Sequence, residues 1–302
     1  MKSKNLLFLL VLFLLATPKA EAQYYFYNED YYDDPILFEI GASVGAINSL
    51  TDIGGHSGIG KKFLKDLNFG NTQFNASLFF ALQYQSKLGL RLEATIGQLK
   101  GYDSILKKDY PNTSGRYERN LSFRTKISEF TIIGEVYPTY LFRQFDTDVE
   151  PPRAAPYVMF GVGFFHFNPQ TQYQGRWVDL QPLHTEGQGF IDGRPNYQLT
   201  QMNIPLGLGL RYELAPRILL RAEFLYRKLS TDYLDDVSTT YVDPSVFDKL
   251  PAADAELAKI LNKRSLPGWE YSKVGDKRGN PDKDAYFTFN LKFGWILGRH
   301  RL

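Results

Sequence analysis

The chain of 302 residues contains no cysteine. No disulfide can crosslink it, and no lipid-modified cysteine can follow a leader. Histidine is scarce, with only His56, His166, His184 and His300, which leaves little material for acid–base chemistry. Long apolar runs are missing too. Beyond Ala22 none reaches the roughly 18 residues that a transmembrane helix requires. A net charge of one sign is also lacking, so no nucleic-acid partner is expected.

What is present begins with an export signal. Lys2 and Lys4 precede the apolar run Leu6 to Ala16, and Ala20-Glu21-Ala22 supplies small residues at a cleavage position. Residues 1–22 are therefore expected to be a removed signal peptide. Of 35 basic and 33 acidic side chains, removal takes Lys2, Lys4, Lys19 and Glu21 and leaves 32 of each sign.

The C-terminal segment Tyr286 to Leu297 alternates. Phe287, Phe289, Leu291, Phe293, Trp295 and Leu297 share one parity, while Thr288, Asn290, Lys292 and Gly294 lie on the other. A period of two with apolar groups on one face is a half-buried strand. Seven earlier segments repeat the pattern, among them Phe38 to Val44, Leu90 to Ile96, Val158 to Phe164 and Ile204 to Tyr212.

The opposite parity of these segments carries Glu39, Arg91, Glu93, Glu129, Glu135, Arg211, Arg221, Glu223, Arg227 and Lys292, with glycines between them. A soluble sandwich would turn its apolar face to a second sheet and its charges to water. A membrane barrel turns the apolar face to lipid and encloses the charges. Five acids balanced by five bases favour the barrel, because a charge enclosed without a partner is costly.

The connections agree. Short turns near Ser86-Lys87 and Ala215-Pro216 alternate with long ones near 49–74, 102–118, 168–196 and 230–284. Such asymmetry places the short turns in the periplasm. Tyr84, Tyr140, Tyr212 and Trp295 then form a periplasmic aromatic girdle at the headgroup level. The expected fold is all-β, an eight-stranded antiparallel transmembrane β-barrel of outer-membrane type over 37–298, with long extracellular loops. Residues 23–36, rich in tyrosine and acids, form a periplasmic tail. The longest loop is 230–284, and within it Ala253 to Arg264 suits a short helix, with acids early and bases late.

Two loop stretches stand apart in composition, from Phe165 to Gly189 and from Thr231 to Asp243. Together with Asn120-Leu-Ser-Phe123 and Gln201 to Gly209, they resemble the Bacteroidota outer-membrane barrel family that includes PorG, a component of the type IX secretion system. The residues carrying the resemblance are Asn168, Pro169, Trp177, Asp179, Gln181, Pro182, Thr185, Glu186, Gly187, Asp232, Tyr233, Asp235 and Asp236. The resemblance implies a non-enzymatic outer-membrane protein, embedded in outer-membrane lipids and associated with periplasmic ring proteins of the PorK–PorN kind. A general structural barrel or a narrow channel is the alternative.

Catalytic and metal readings are weaker. His184, Asp179 or Glu186, and Ser230 or Ser238 could form a hydrolytic set, but no nucleophile-elbow or zinc-ligand spacing accompanies them. Asp232, Asp235, Asp236 and Asp243 could offer oxygens to calcium, but their order is not that of an EF-hand loop. They are read as ion-pairing or turn-capping groups. No cofactor and no small-molecule substrate are expected.

Overall fold

The computed structural model describes residues 35–55, 68–110, 112–113, 115–142, 152–268 and 273–298. The signal peptide, the tail through residue 34, His56, His300 and residues 299–302 lie outside the described residues.

Among the described residues ten strands follow one another: β1 Ile36–Leu50, β2 Gln73–Tyr84, β3 Leu88–Tyr102, β4 Ser122–Val136, β5 Ala154–His166, β6 Pro169–Tyr173, β7 Arg176–Asp179, β8 Thr200–Ala215, β9 Ile218–Leu229 and β10 Ala285–Leu297. Eight of them form one antiparallel sheet in the order β3-β2-β1-β10-β9-β8-β5-β4, and pairing of β3 with β4 closes it. The eight-stranded barrel is therefore complete, with no free edge in the closed sheet to recruit another chain.

The registers fix how the sheet closes. A walk across paired residues leaves Ile40 through Phe80, Leu92, Ile132 and Val162, continues across β8 and β9, and returns through Ala285 to Leu50. It arrives ten residues further along β1. A stagger of this size in eight strands tilts them by about 40° and leaves an interior that side chains alone fill.

Alternation sorts the two faces. On β8, Met202, Ile204, Leu206, Leu208, Leu210 and Tyr212 all point outward and are exposed. Ten residues at ~3.3 Å each, tilted by ~40°, give a band about 25 Å tall, the height of an outer-membrane hydrocarbon core. The same exposed band continues around β1 to β5, β9 and β10. Exposed apolar groups in this number would be untenable in water, and their partner is lipid. The protein resides in the outer membrane. Tyr84, Tyr212 and Trp295 stand exposed at the short-turn end of this band.

Tyr140 departs from the expected girdle. β4 ends at Val136, and a helical turn Pro138–Phe142 carries Tyr140 beneath the barrel. There its hydroxyl donates to the Pro152 carbonyl and its ring lies below the Arg211 guanidinium. Pro138 ends the alternation, because proline cannot donate to the ladder.

At the other end the loops fold. The β6–β7 hairpin adds to the outer tip of β4, where Arg124 pairs with Gln170 and Thr125 with Pro169. In the longest loop a helix runs Ala252–Asn262, two residues short of the expected Arg264. Lys263 is already extended, and the Arg264 side chain turns to Ser122 and Thr171 on the β4–β6 pair. Apolar groups from these loops build a separate small core around Leu183, Phe247, Ala258 and Leu261.

Candidate functional site

The barrel interior is stratified along its axis. Nearest the short turns, Arg211 donates to Gln83 and lies over the ring of Tyr137. Its charge is met by the ring faces of Tyr137 and Tyr140, by the Gln83 amide and by the field of Glu213. Above it sits the main ionic cluster. Arg91 reaches three carboxylates, Glu93 at 3.1 Å, Glu135 at 2.7 Å and Glu223 at 2.6 Å. Arg221 joins Glu39 on β1 to Glu135 on β4, and Lys292 bridges to Glu93. Tyr157 donates to Glu223, and Tyr137 to Glu135 at 2.6 Å.

Four acids and three bases meet in this cluster. The adjacent Arg211 restores balance, and Arg227 with Glu129 forms a neutral pair higher up. Arg227 Nε lies 2.8 Å from both Glu129 oxygens, while Asn203 and Tyr286 donate to the same carboxylate. All ten charged residues singled out above lie on inward faces and are buried. Because β4 and β9 are not neighbours in the sheet, Arg221–Glu135 and Arg227–Glu129 span the lumen rather than line it.

Glycines make the spans possible. A Cβ at Gly209 would stand 2.3 Å from the Tyr157 ring, and one at Gly294 would overlap the Glu39 carboxylate. Both glycines thus make room for large inward neighbours.

Between the ionic cluster and the outer mouth lies a thinner polar layer, where Asn75, Thr95 and Asn290 hold buried atoms without a protein partner. Ordered water is the usual partner of such groups. An apolar plug closes the mouth above them. Ile47, Leu99, Phe123, Phe165 and Leu234 are among its members, extended outward by Phe167 stacked on Tyr197 and Tyr197 stacked on Tyr233 at 4.8 Å.

The loop residues that carry the family resemblance build the cap over this plug. Thr185 and Tyr197 both donate to Asp236. Glu186 accepts from the Ser238 and Thr239 backbones, from the Thr239 hydroxyl and from Arg278 at 3.0 Å. Asp235 accepts from the backbones of Ile53 and Val237. Gln181 donates to Asn196 and to the Tyr197 carbonyl within the turn that holds Pro182. Gly187 takes φ +72°, which glycine tolerates best. In the hairpin, Asp179 accepts from Asn168 and Gln170, the Pro169 carbonyl accepts from Leu180, and Trp177 lies 3.5 Å beneath the Arg124 guanidinium.

Sequence reasoning missed the partners that complete the cap. Arg119 grips Asp103 with two nitrogens at 2.9 Å and donates to the carbonyls of Asp52 and Arg278. These residues come from three loops, and no local pattern marks them. Burial pushes the Asp232 carboxyl up to about 9, with Asp235, Asp52 and Glu186 adding repulsion. Burial also raises Asp236 to about 6, restrained by Arg278 and by its two hydroxyl donors. Asp235 and Asp284 are pushed well up by burial and by their acidic neighbours.

The catalytic and calcium sets do not assemble. His184 takes φ +49° and lies against Phe190, with ring centres 4.5 Å apart. Glu186 is committed to Arg278 and to backbone donors, and Ser230 bonds to Gln201 and Met202. His166 is exposed at the end of β5 beside Thr200. Asp243 caps its own turn through Ser245, while Asp236 faces Thr185 and Tyr197. Among the described residues no group of three or more His, Asp or Glu side chains is arranged to hold a metal ion.

No protein-family model matches the chain, and no curated protein matches it. Among solved structures, the chain is similar to Ail of Yersinia pestis in complex with the heparin analogue sucrose octasulfate, at 8% identity over 87% of this chain and 97% of that one, with a TM-score of 0.36. It is similar to Neisserial surface protein A at 10% identity over 86% and 96%, TM-score 0.37. It is also similar to OprG from Pseudomonas aeruginosa at 12% identity over 86% and 95%, TM-score 0.37. Likeness at this level carries no functional argument, and the barrel rests on its own closed strand pairing and lipid-facing band. The chain is an eight-stranded outer-membrane β-barrel with a folded extracellular cap.

Proposed function

We propose that this protein is a non-enzymatic outer-membrane anchor that acts through its surfaces, as a PorG-like component of the type IX secretion machinery. The observation that carries the first half is the interior, where Arg91, Arg221, Arg227 and Lys292 reach across the lumen to carboxylates beneath an apolar plug. A barrel filled in this way offers no aqueous path, which leaves its two ends and its lipid-facing wall to do the work. The second half rests on the resemblance of the loop residues to the PorG-containing family. In this reading the short-turn end meets a periplasmic ring of the PorK–PorN kind.

A second reading is a structural barrel without a secretion role. It is favoured by one observation: Thr185, Glu186, Asp235 and Asp236, which carry the resemblance, are all engaged in holding the cap together. A barrel of any role would need them for that purpose. Affinity purification from membranes in mild detergent separates the two. Co-purification of PorK–PorN-like ring proteins supports the secretion role, and their consistent absence overturns it.

A further inference from the structure

The outer wall of the barrel carries a cationic patch directly above its apolar band. Lys100 on β3 and Arg124 on β4 are register partners on the outward face, and Lys126 follows one outward position along, opposite Gln98. Direct partners on one face of an antiparallel pair have Cβ atoms about 5 Å apart, a spacing at which like charges destabilise the sheet.

No described ion pair joins any of these three cations to an acid. The outward acid of the adjoining hairpin, Asp179, accepts from Asn168 and Gln170 and is linked to Arg124 only through the Gln170 amide. Arg124 is held in place from one side only. Its Nε donates to Gln170 and its plane rests on the Trp177 ring, which leaves its two terminal nitrogens free of described partners. A guanidinium held flat on a ring with its fork open is suited to a bidentate anion such as phosphate.

Position identifies the anion's source. Four residues below Lys100 and Lys126, the same outward faces carry Ile96 and Phe130, both exposed in the apolar band. Four residues at ~3.3 Å along strands tilted by ~40° put the cations about 10 Å above those groups, at headgroup height. We infer that Lys100, Arg124 and Lys126 form a docking site for the phosphorylated headgroup of an outer-leaflet lipid whose acyl chains lie against Ile96 and Phe130. This inference is independent of the secretion role.

The test uses the full-length protein reconstituted in phosphatidylcholine vesicles containing a minor fraction of diphosphorylated lipid A or of its dephosphorylated form, followed by release into native mass spectrometry. The wild type retains the phosphorylated lipid. The variant Lys100→Gln/Arg124→Gln/Lys126→Gln binds it about a hundredfold more weakly, as expected when three cations near an anionic surface are removed. Lys228→Gln, which removes a solitary outward cation on β9, behaves as wild type. Equal retention by wild type and triple variant overturns the site, as does equal retention of the dephosphorylated lipid. If the triple variant fails to insert, Arg124→Gln alone is read by Trp177 fluorescence on titration with lipid A. An unchanged response overturns the proposal. Inorganic phosphate that binds the detergent-solubilised wild type as tightly as the lipid also overturns it, by showing an anion site without lipid recognition.

Discussion

Arg227 on β9 reaches across the barrel to Glu129 on β4, its Nε 2.8 Å from both carboxylate oxygens. Two strands, β8 and β5, separate them in the wall. The pair therefore ties opposite walls, and both groups are buried. Removing one partner strands a charge. Glu129→Leu or Arg227→Leu alone should destabilise the barrel by about 3–5 kcal/mol, whereas the double replacement should cost much less. Urea unfolding in detergent micelles followed by tryptophan fluorescence measures both. Equal costs for single and double variants would refute the pairing.

Gly209 on β8 and Tyr157 on β5 make a steric prediction. The Tyr157 ring occupies the place of a Gly209 side chain, and it is fixed by stacking on Tyr137 at 4.9 Å and by its bond to Glu223. Gly209→Ala should cost about 1–3 kcal/mol by overpacking. Adding Tyr157→Phe should not relieve it, since the ring and not the hydroxyl is in the way. The heat-induced gel shift of the folded barrel reports the change.

The acidic groups of the cap predict a pH dependence. Asp232 and Asp236 hold their protons to about 9 and about 6, and Asp235 and Asp284 are raised as well. An unfolded aspartate releases its proton near ~3.9. Between these limits the folded cap binds more protons than the unfolded one, so its stability falls as pH rises. Hydrogen exchange of segments 180–200 and 230–250 should therefore be slower, after correction for intrinsic rates, at pH 5 than at pH 9. Asp232→Asn should flatten the upper part of that trend. Protection that rises with pH would contradict the account.

The cap's hydrogen bonds can also be probed singly. Asp236→Asn should weaken the link that receives both Thr185 and Tyr197, with a local cost of about 1–3 kcal/mol. Proteolysis within residues 180–200 should quicken, while the barrel's gel shift stays unchanged. A loss of the barrel itself would show that cap and barrel fold as one unit.

The difference between barrel and cap also explains what could be read from the chain. Strand alternation is local, so Ile204 to Tyr212 or Phe287 to Leu297 declares its own lipid face, and the inward charges follow by parity. The pairing of those charges is not local. Nothing in the sequence near Arg221 indicates that it meets Glu39 and Glu135 rather than Glu93, because the stagger of the closed sheet decides it. Tyr140 kept the expected parity in sequence yet left the wall, since Pro138 ends the strand before it. The contacts that hold the cap together follow no period. They join Asp103 to Arg119 and Glu186 to Arg278, residues whose proximity depends on the barrel bringing loop ends together.

We propose that the barrel, filled and capped, serves as an anchor instead of a pore. Planar-bilayer recording of the purified full-length protein tests it most directly. No steady conductance above the bare membrane is expected at neutral pH. A stable, reproducible open level in the wild type would contradict it.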